Sequence, residues 1–207
     1  MADKFKGQLK QDLLCLEYFN HKREGYFVDI GAGNGYDLSN TYLLEKEYDW
    51  KGICVEPLSE PYKLCKECRP NSICKNIAIY NKAGDIEFSY IDGSSGENYM
   101  YSGITQDIKH HIEKVNKESK KILMNTITLN QLLEEAEAPE IMDFLSIDTE
   151  GSESKILEAL DHDKYKFRYI TVEHNYNTEQ RKEIYNVLTS NGYKFHMENN
   201  WDDIYVK

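Results

Sequence analysis

The chain has 207 residues, a formal net charge of −11, 40% hydrophobic residues and 29% charged residues. That length supports one domain with a substantial core and excludes two ordinary ones, and the composition excludes an intrinsically disordered chain. The acidic balance speaks against a duplex-binding protein, which needs a basic face, and no apolar stretch approaches the roughly 20 residues that span a bilayer.

The opening "MADKFKGQLKQDLL" is charged and lacks the apolar core of a secretory signal. The five cysteines are an odd number without framework spacing, so a reduced, cytoplasmic setting is expected. Apolar residues at Leu13, Leu14, Leu16, Tyr18 and Phe19 predict an amphipathic helix over 8–21. Residues 26–30 read as a buried strand, 37–47 as a helix, 52–56 ("GICVE") as a second strand, and 60–67 as a short helix stopped before Pro70. A third strand is expected over 72–79, and "DIEFSYI" (85–91) alternates like a strand with one wet face.

The periodicity lapses over 92–103, "DGSSGENYMYSG", which reads as a long loop of the kind that serves as a lid. Helix is expected over 105–118, extended chain over 122–128 and helix over 129–136. A buried strand follows at 142–147, then a helix at 152–160, a strand at 167–173 and a helix at 178–190. The tail offers two short strands that must pair antiparallel, because no crossover helix separates them. Strands alternating with helices predict an α/β fold: an open, mostly parallel sheet with helices on both faces and an antiparallel last strand. Ligands of such sheets bind beyond the carboxyl ends of the strands, which selects Asp29 to Gly35, Glu56, Asn76 to Ala78, Asp148 to Glu150, and Glu173 with His174.

At the first of these ends Gly31, Gly33 and Gly35 write G-x-G-x-G in "FVDIGAGNGYD". A dinucleotide fingerprint places its third glycine one position later, where this chain has Tyr36. The turn therefore fits a nucleoside without a pyrophosphate, and a nicotinamide dehydrogenase is disfavoured. Glu56, about 25 residues after the glycines, ends the second strand, where a carboxylate accepts the two hydroxyl protons of a ribose. In "FLSIDTEGSE" the acids Asp148, Glu150 and Glu153 form a donor set for a cation or a base, although Glu153 also suits the positive end of the next helix. His174, beside Glu173 at another strand end, is a candidate general base. Cys65, Cys68 and Cys74 lack the second ligand pair of a zinc site and read as ordinary residues of a helix and strand. The basic run from Lys109 to Lys121 reads as a solvated helix face, with a patch for an acidic substrate as the alternative.

These stretches together resemble the FkbM family of S-adenosylmethionine-dependent methyltransferases. The resemblance rests on "GQLKQD", "GYFVDIGAGNG", "CVEP", "RPNSICKNIAI", "YSGI", "TITLNQLL", "DFLSIDTEGSE" and "ITVEHN", in that order. Asn130 departs from it, standing where many members carry Asp. The resemblance implies a class I methyltransferase sheet. It implies S-adenosylmethionine held by Asp29, Gly31, Ala32, Gly33, Asn34 and Gly35, with Glu56 on the ribose, Asn76, Ile77 and Ala78 by adenine, and Asp148 near the reacting centre. It implies O-methylation of a hydroxyl on a sugar, glycan or other small metabolite. Asp148 is expected to position the acceptor and His174 to take its proton, with Glu150 the third catalytic candidate; a divalent metal is left open. An RNA methyltransferase and a non-catalytic nucleoside-binding protein are the alternative readings. One domain over 1–207 is expected, with 1–24 a helical extension and 92–121 a lid or acceptor-binding insertion.

Overall fold

A computed structural model describes residues 5–91, 101–109 and 112–207 of the chain. In chain order the strands are β1 (Tyr26–Ile30), β2 (Lys51–Val55), β3 (Ile73–Lys75), β4 (Ala78–Ile79), β5 (Gly84–Tyr90), β6 (Gly103–Ile104), β7 (Lys120–Ile127), β8 (Ile141–Ile147), β9 (Lys166–Glu173), β10 (Lys194–Asn199) and β11 (Asp202–Val206). The helices are α1 (Gln11–Tyr18), α2 (Tyr42–Tyr48), α3 (Ser59–Cys68), α4 (Ile112–Glu118), α5 (Leu129–Glu135), α6 (Glu153–Glu158) and α7 (Thr178–Ser190).

Seven strands form the central sheet in the order β10-β11-β9-β8-β1-β2-β3. The pairs among β3, β2, β1, β8 and β9 are parallel, and β11 lies antiparallel between β9 and β10. The last strand alone runs against the rest, as the sequence predicts. The strand order reverses between β1 and β8, so their carboxyl ends flank the crevice where such sheets bind ligands.

The central strands are continuous apolar runs because both sheet faces are covered. Successive residues point to opposite faces. Val28, Ile30, Ile53, Val55, Leu145 and Ile147 pack in one core with Leu132 of α5, Ile156 of α6 and Ile184 of α7. Their neighbours Phe27, Cys54 and Phe144 pack in a second core with Leu16 of α1, Leu43 and Leu44 of α2 and Cys65 of α3.

Three predicted elements differ. The strand expected over 72–79 divides into β3, in the central sheet, and β4, in a second sheet ordered β4-β7-β5-β6. Asn76 lies at the division: its side-chain amide donates to the carbonyls of Glu56 and Pro57 at 2.9 and 2.8 Å, fastening the chain to the end of β2. The helix expected from 105 begins at Ile112, because the preceding segment is held by β6 and by the turn bonds Asp107 N–H to Ile104 C=O and Thr105 N–H to Glu87 C=O. The helix expected from 37 begins at Tyr42, because Leu38 adopts a φ of 56° and the Ser39 hydroxyl accepts the N–H of Tyr42 at 3.1 Å. Of the loop expected over 92–103, residues 92–100 lie outside the described residues.

A buried ion pair ties α2 to the end of α3. Arg69 donates from Nε to Glu45 at 2.7 Å, and neither side chain has measurable exposure. The guanidinium also donates to the carbonyl of Gly35, the hydroxyl of Ser39 and, at 3.0 Å, the hydroxyl of Thr41, which itself donates to Asp29 at 2.6 Å. Removing either ionic partner strands a buried charge. Arg69→Met is expected to cost about 3–5 kcal/mol, a Tm drop of about 6–20 °C at this chain length. The double variant with Glu45→Met is expected to recover part of the loss; thermal and urea unfolding of the single and double variants measure both effects.

Candidate active site at the strand ends

A cavity of about 640 Å³ opens beyond the carboxyl ends of β1, β2, β8 and β9. That is the size of a small-molecule or cofactor pocket. Its wall is built by Asp29 to Asn34, Val55 to Pro57, Ile77 to Ile79 and Asp148 to Glu150, with Ser152 and Glu173. The site so assembled joins most of the residues that the sequence selects.

The glycine turn divides its labour. Gly31 has φ +92°, and a Cβ there would lie 1.9 Å from the carbonyl oxygen of Asp148. Only glycine lets the end of β1 pass so close to the end of β8, and the Asp148 N–H to Ile30 C=O bond of 3.0 Å locks that approach. Gly33 has φ +54° and open space where its Cβ would be, so it is the glycine that presents bare backbone to a ligand. Gly35 does not line the cavity. A Cβ on it would lie 2.8 Å from Sγ of Cys65, so it admits α3 against the turn and corrects the expectation that it faces a ligand. Asn34 completes the turn by accepting the N–H groups of Tyr36 and Asp37 on its Oδ1, at 3.0 and 2.9 Å.

Glu56 is 6% exposed and accepts the N–H of Gly33 on Oε2 at 3.0 Å and that of Leu58 on Oε1 at 2.8 Å. Burial nonetheless pushes its carboxyl up to about 7 against the pull of those bonds. It is held rigidly across from Gly33 at the cavity edge. Asn76 does not line the cavity and acts one layer behind, while Ile77 and Ala78 form the wall. Asp29 is buried under the turn, where desolvation raises its carboxyl and the Thr41 hydrogen bond opposes the rise.

At the other end of the cavity the "DTEGSE" turn separates its acids by role. Glu153 is fully buried and accepts from the N–H and hydroxyl of Thr149, from the N–H of Gly151 and from the Gln180 amide. It organises the turn and, as the first residue of α6, also stands at the positive end of that helix. Asp148 and Glu150 face the cavity instead. Asp148 is exposed on the cavity wall; the protein packed around it, then the charges of Asp202 and Glu153, push it up to about 7. Burial and then Asp148 raise Glu150 well above the carboxylate range, and Glu173 is raised the same way. Oxygens of Asp148, Glu150 and Glu173 lie within 4.8 Å of one another.

His174 is not part of this constellation. It is 1% exposed and absent from the cavity wall. Its Nδ1 accepts the N–H of Tyr176 at 3.1 Å, and its Nε2 lies 3.5 Å from Asp203, which Arg181 grips with two bonds of 2.7 and 2.8 Å. The expectation that it faces the crevice with Glu173 is not met, because successive strand-end residues point to opposite sides.

Sequence reasoning missed part of the far wall: Leu38, Ser39, Asn40, Phe88 and Trp201 line the cavity without a motif to mark them, whereas Ser102 and Ile104, which also line it, belong to the stretch "YSGI" within the expected 92–121 insertion. Gln8 and Gln11, from the stretch "GQLKQD", line it as well. Asn130 lies elsewhere, bridging the carbonyl of Ala159 and the N–H of Asp161 at 2.8 and 2.9 Å. The sulfurs of Cys54, Cys65 and Cys74 gather within 4.8 Å in the α3-side core, whereas Cys68 donates to the carbonyl of Asn34. Lys109 lies 3.6 Å from Glu179, Lys121 pairs with Glu87 at 2.8 Å, and Lys114 sits over the Tyr101 ring, so these members of the basic run are engaged locally.

The sequence matches the methyltransferase FkbM domain over residues 29–195. Among solved structures, the methyltransferase FkbM from Methylobacillus flagellatus is similar with a TM-score of 0.53 and 12% identity, over 100% of this chain and 56% of that one. The present chain thus spans little more than half of that protein. The METTL16 methyltransferase domain is similar with a TM-score of 0.53 and 12% identity, over 96% of this chain and 66% of that one. The precorrin-6y C5,15-methyltransferase from Geobacter metallireducens gives a TM-score of 0.50 and 10% identity, over 95% and 87%. At such identities the likeness establishes the class I methyltransferase fold. No curated protein sequence matches the chain.

The division of labour among the glycines is testable. Gly31→Ala is expected to destabilise the fold by more than about 3 kcal/mol, since backbone must move. Gly33→Ala is expected to cost about 1–2 kcal/mol, the left-handed backbone penalty alone. Urea unfolding of the two variants distinguishes them.

Proposed function

The chain belongs to the FkbM family of S-adenosylmethionine-dependent methyltransferases, and from that premise we propose that it methylates a hydroxyl oxygen of a small acceptor, with a sugar or glycan favoured. The observation that carries the reading is the polarity of the cavity. One end offers bare backbone at Gly33 beside the rigidly held Glu56, and the other offers the carboxyl groups of Asp148 and Glu150, which no lysine or arginine among the described residues pairs.

The residues present fit the methyl donor. The open space at Gly33 admits a chain against the backbone, Glu56 suits a ribose diol, and Ile77 and Ala78 give an apolar wall for a base. When bound, S-adenosylmethionine supplies a sulfonium methyl group, which passes to the acceptor oxygen as the carbon–sulfur bond breaks and its electron pair stays on sulfur. The chain's own work is alignment and proton handling. Holding the acceptor oxygen in line contributes several kcal/mol of rate enhancement, roughly 7–11 at best. Asp148 and Glu150 are assigned to receive the acceptor hydroxyl: a hydrogen bond to carboxylate orients the oxygen, and the proton passes to that carboxylate late in the transfer. The negative field of these acids also favours a cationic donor over its neutral product. His174 is assigned a structural role, since it is buried against Asp203. The local pairing of Lys109, Lys114 and Lys121 gives an RNA acceptor no support.

S-adenosylhomocysteine at about 100 times its Kd is expected to add about 2.7 kcal/mol, a Tm rise of roughly 5–10 °C, while NAD adds nothing. Stabilisation by NAD alone refutes the reading. Asp148→Asn is expected to retain donor binding and lose turnover on a glycan panel, and His174→Gln to keep turnover within about tenfold; loss of turnover in His174→Gln alone reverses the assignment.

Glu56 sets a pH dependence. Its folded pKa of about 7 exceeds the ordinary 4.5. In the ligand-free protein the stability tied to its neutral form is complete below that ordinary value and is lost as pH rises through about 7. A ribose needs the charged form, so affinity for S-adenosylhomocysteine is expected to weaken by up to about tenfold per unit as pH falls below that value. Calorimetric titration at several pH values should show this slope in the wild type and a flat profile in Glu56→Gln.

A further inference from the structure

We propose that Asp148, Glu150 and Glu173 hold one divalent, oxygen-seeking cation at the end of the cavity opposite Glu56. The proposal rests on the methyltransferase reading for its purpose but not for its geometry.

The three residues come from two strand ends and the turn that follows one of them. Asp148 and Glu150 flank the end of β8, and Glu173 closes β9. Each contributes an oxygen to a group no wider than 4.8 Å. Ligand oxygens around one magnesium or calcium ion lie 2.0–2.6 Å from the metal, so those of one shell are at most about 5 Å apart. The carboxylates already occupy that span.

A cluster of acids is common on surfaces and proves nothing alone. Glu173 is what distinguishes this one. It is 6% exposed, lines the cavity, and its Oε2 is buried without any hydrogen-bond partner. Such an oxygen is destabilising unless a ligand satisfies it. Glu150 engages only the Asn175 amide, at a long 3.4 Å. Among the described residues none of the three carboxylates forms a salt bridge, although lysines and arginines pair with acids elsewhere in the fold. Their neighbours are differently placed: Glu153 is saturated by backbone and side-chain donors, and Asp202 accepts the Gln11 amide at 2.9 Å.

The donor set names the ion class. Three carboxylate oxygens without imidazole or thiolate select magnesium, manganese or calcium over zinc or copper. The backbone supports a fixed cradle, since Glu150 holds φ 58° and Gly151 holds φ 128°, with a Cβ on Gly151 placed 2.2 Å from the carbonyl of Asp107. Three protein ligands leave coordination positions toward the cavity. An acceptor hydroxyl bound there becomes more acidic, and the second oxygen of a singly coordinated Asp148 remains free to take its proton.

The test uses the full chain stripped of metals with chelator. Manganese chloride is titrated while free Mn²⁺ is read by electron paramagnetic resonance, and S-adenosylhomocysteine is titrated separately by calorimetry. One Mn²⁺ per chain is expected, with Kd below about 1 mM and competition by magnesium. Glu173→Gln and Glu150→Gln are each expected to weaken it by about tenfold or more, while the exposed Glu134→Gln leaves it unchanged. Circular dichroism of each variant confirms folding; if Glu173→Gln does not fold, Glu150→Gln and a Mn²⁺-dependent Tm rise in the wild type decide. Absence of stoichiometric binding up to about 5 mM, or binding indifferent to both substitutions, overturns the proposal. Binding of S-adenosylhomocysteine without Mn²⁺ refutes the cation site alone. Binding of Mn²⁺ without S-adenosylhomocysteine refutes the methyltransferase reading and keeps the site.

Discussion

The Arg69–Glu45 ion pair is the constraint on which the glycine turn of this molecule depends. It is wholly buried, and the same guanidinium reaches the carbonyl of Gly35 and the hydroxyls of Ser39 and Thr41. A glycine-dense turn has more backbone freedom than any other kind. Here that freedom is removed from behind by a planar donor fork that touches the turn at several points, which lysine's single ammonium does not reproduce. The cost of burying two charges is offset because each of the guanidinium nitrogens finds an acceptor. The turn can then show bare backbone to a ligand on one side because it is clamped on the other.

The acids concentrate the opposite problem at the far end. Burial and mutual repulsion raise the carboxyls of Asp148, Glu150 and Glu173 together. In a site with no ligand this arrangement is poorly satisfied, and the structure tolerates it because Glu153 and the β-ladders fix the backbone independently. Acids that organise the turn and acids that face the cavity are thus separated within one short stretch of sequence. The residue that makes most bonds, Glu153, is buried behind the turn, and the acids poorer in partners face the cavity.

The central sheet was legible because its physical signal is local. Near-continuous apolar runs in "YFVDI" and "MDFLSI" report two covered faces, and the absence of a crossover in the tail forces the reversed last strand. Glu56 and Asp148 were equally legible, each being the first acid after a buried strand. The misplaced residues share a cause. His174 was assigned by adjacency to Glu173, but neighbours in a strand point apart. Gly35 was assigned by its motif, but its neighbour is Cys65, thirty positions away in a helix whose docking no periodicity reveals. The second sheet was hidden for a related reason: β4 and β6 have two residues each, too few to carry a pattern, and they exist only because β5 and β7 pair across a long sequence separation.

That second sheet also shapes the cavity. It joins the central sheet in sequence through Asn76 and Ile77, between β3 and β4, and supplies Phe88 and Ile104 to the cavity. The parallel sheet takes its register from hydrogen bonds in which β5 and β6 have no part. β6 nevertheless lies against the turn that follows β8, since a Cβ on Gly103 would be 3.0 Å from the carbonyl oxygen of Thr149. Substitution in β5 or β6 thus reshapes the cavity wall at Phe88 and Ile104 before it touches the ladder of the parallel sheet.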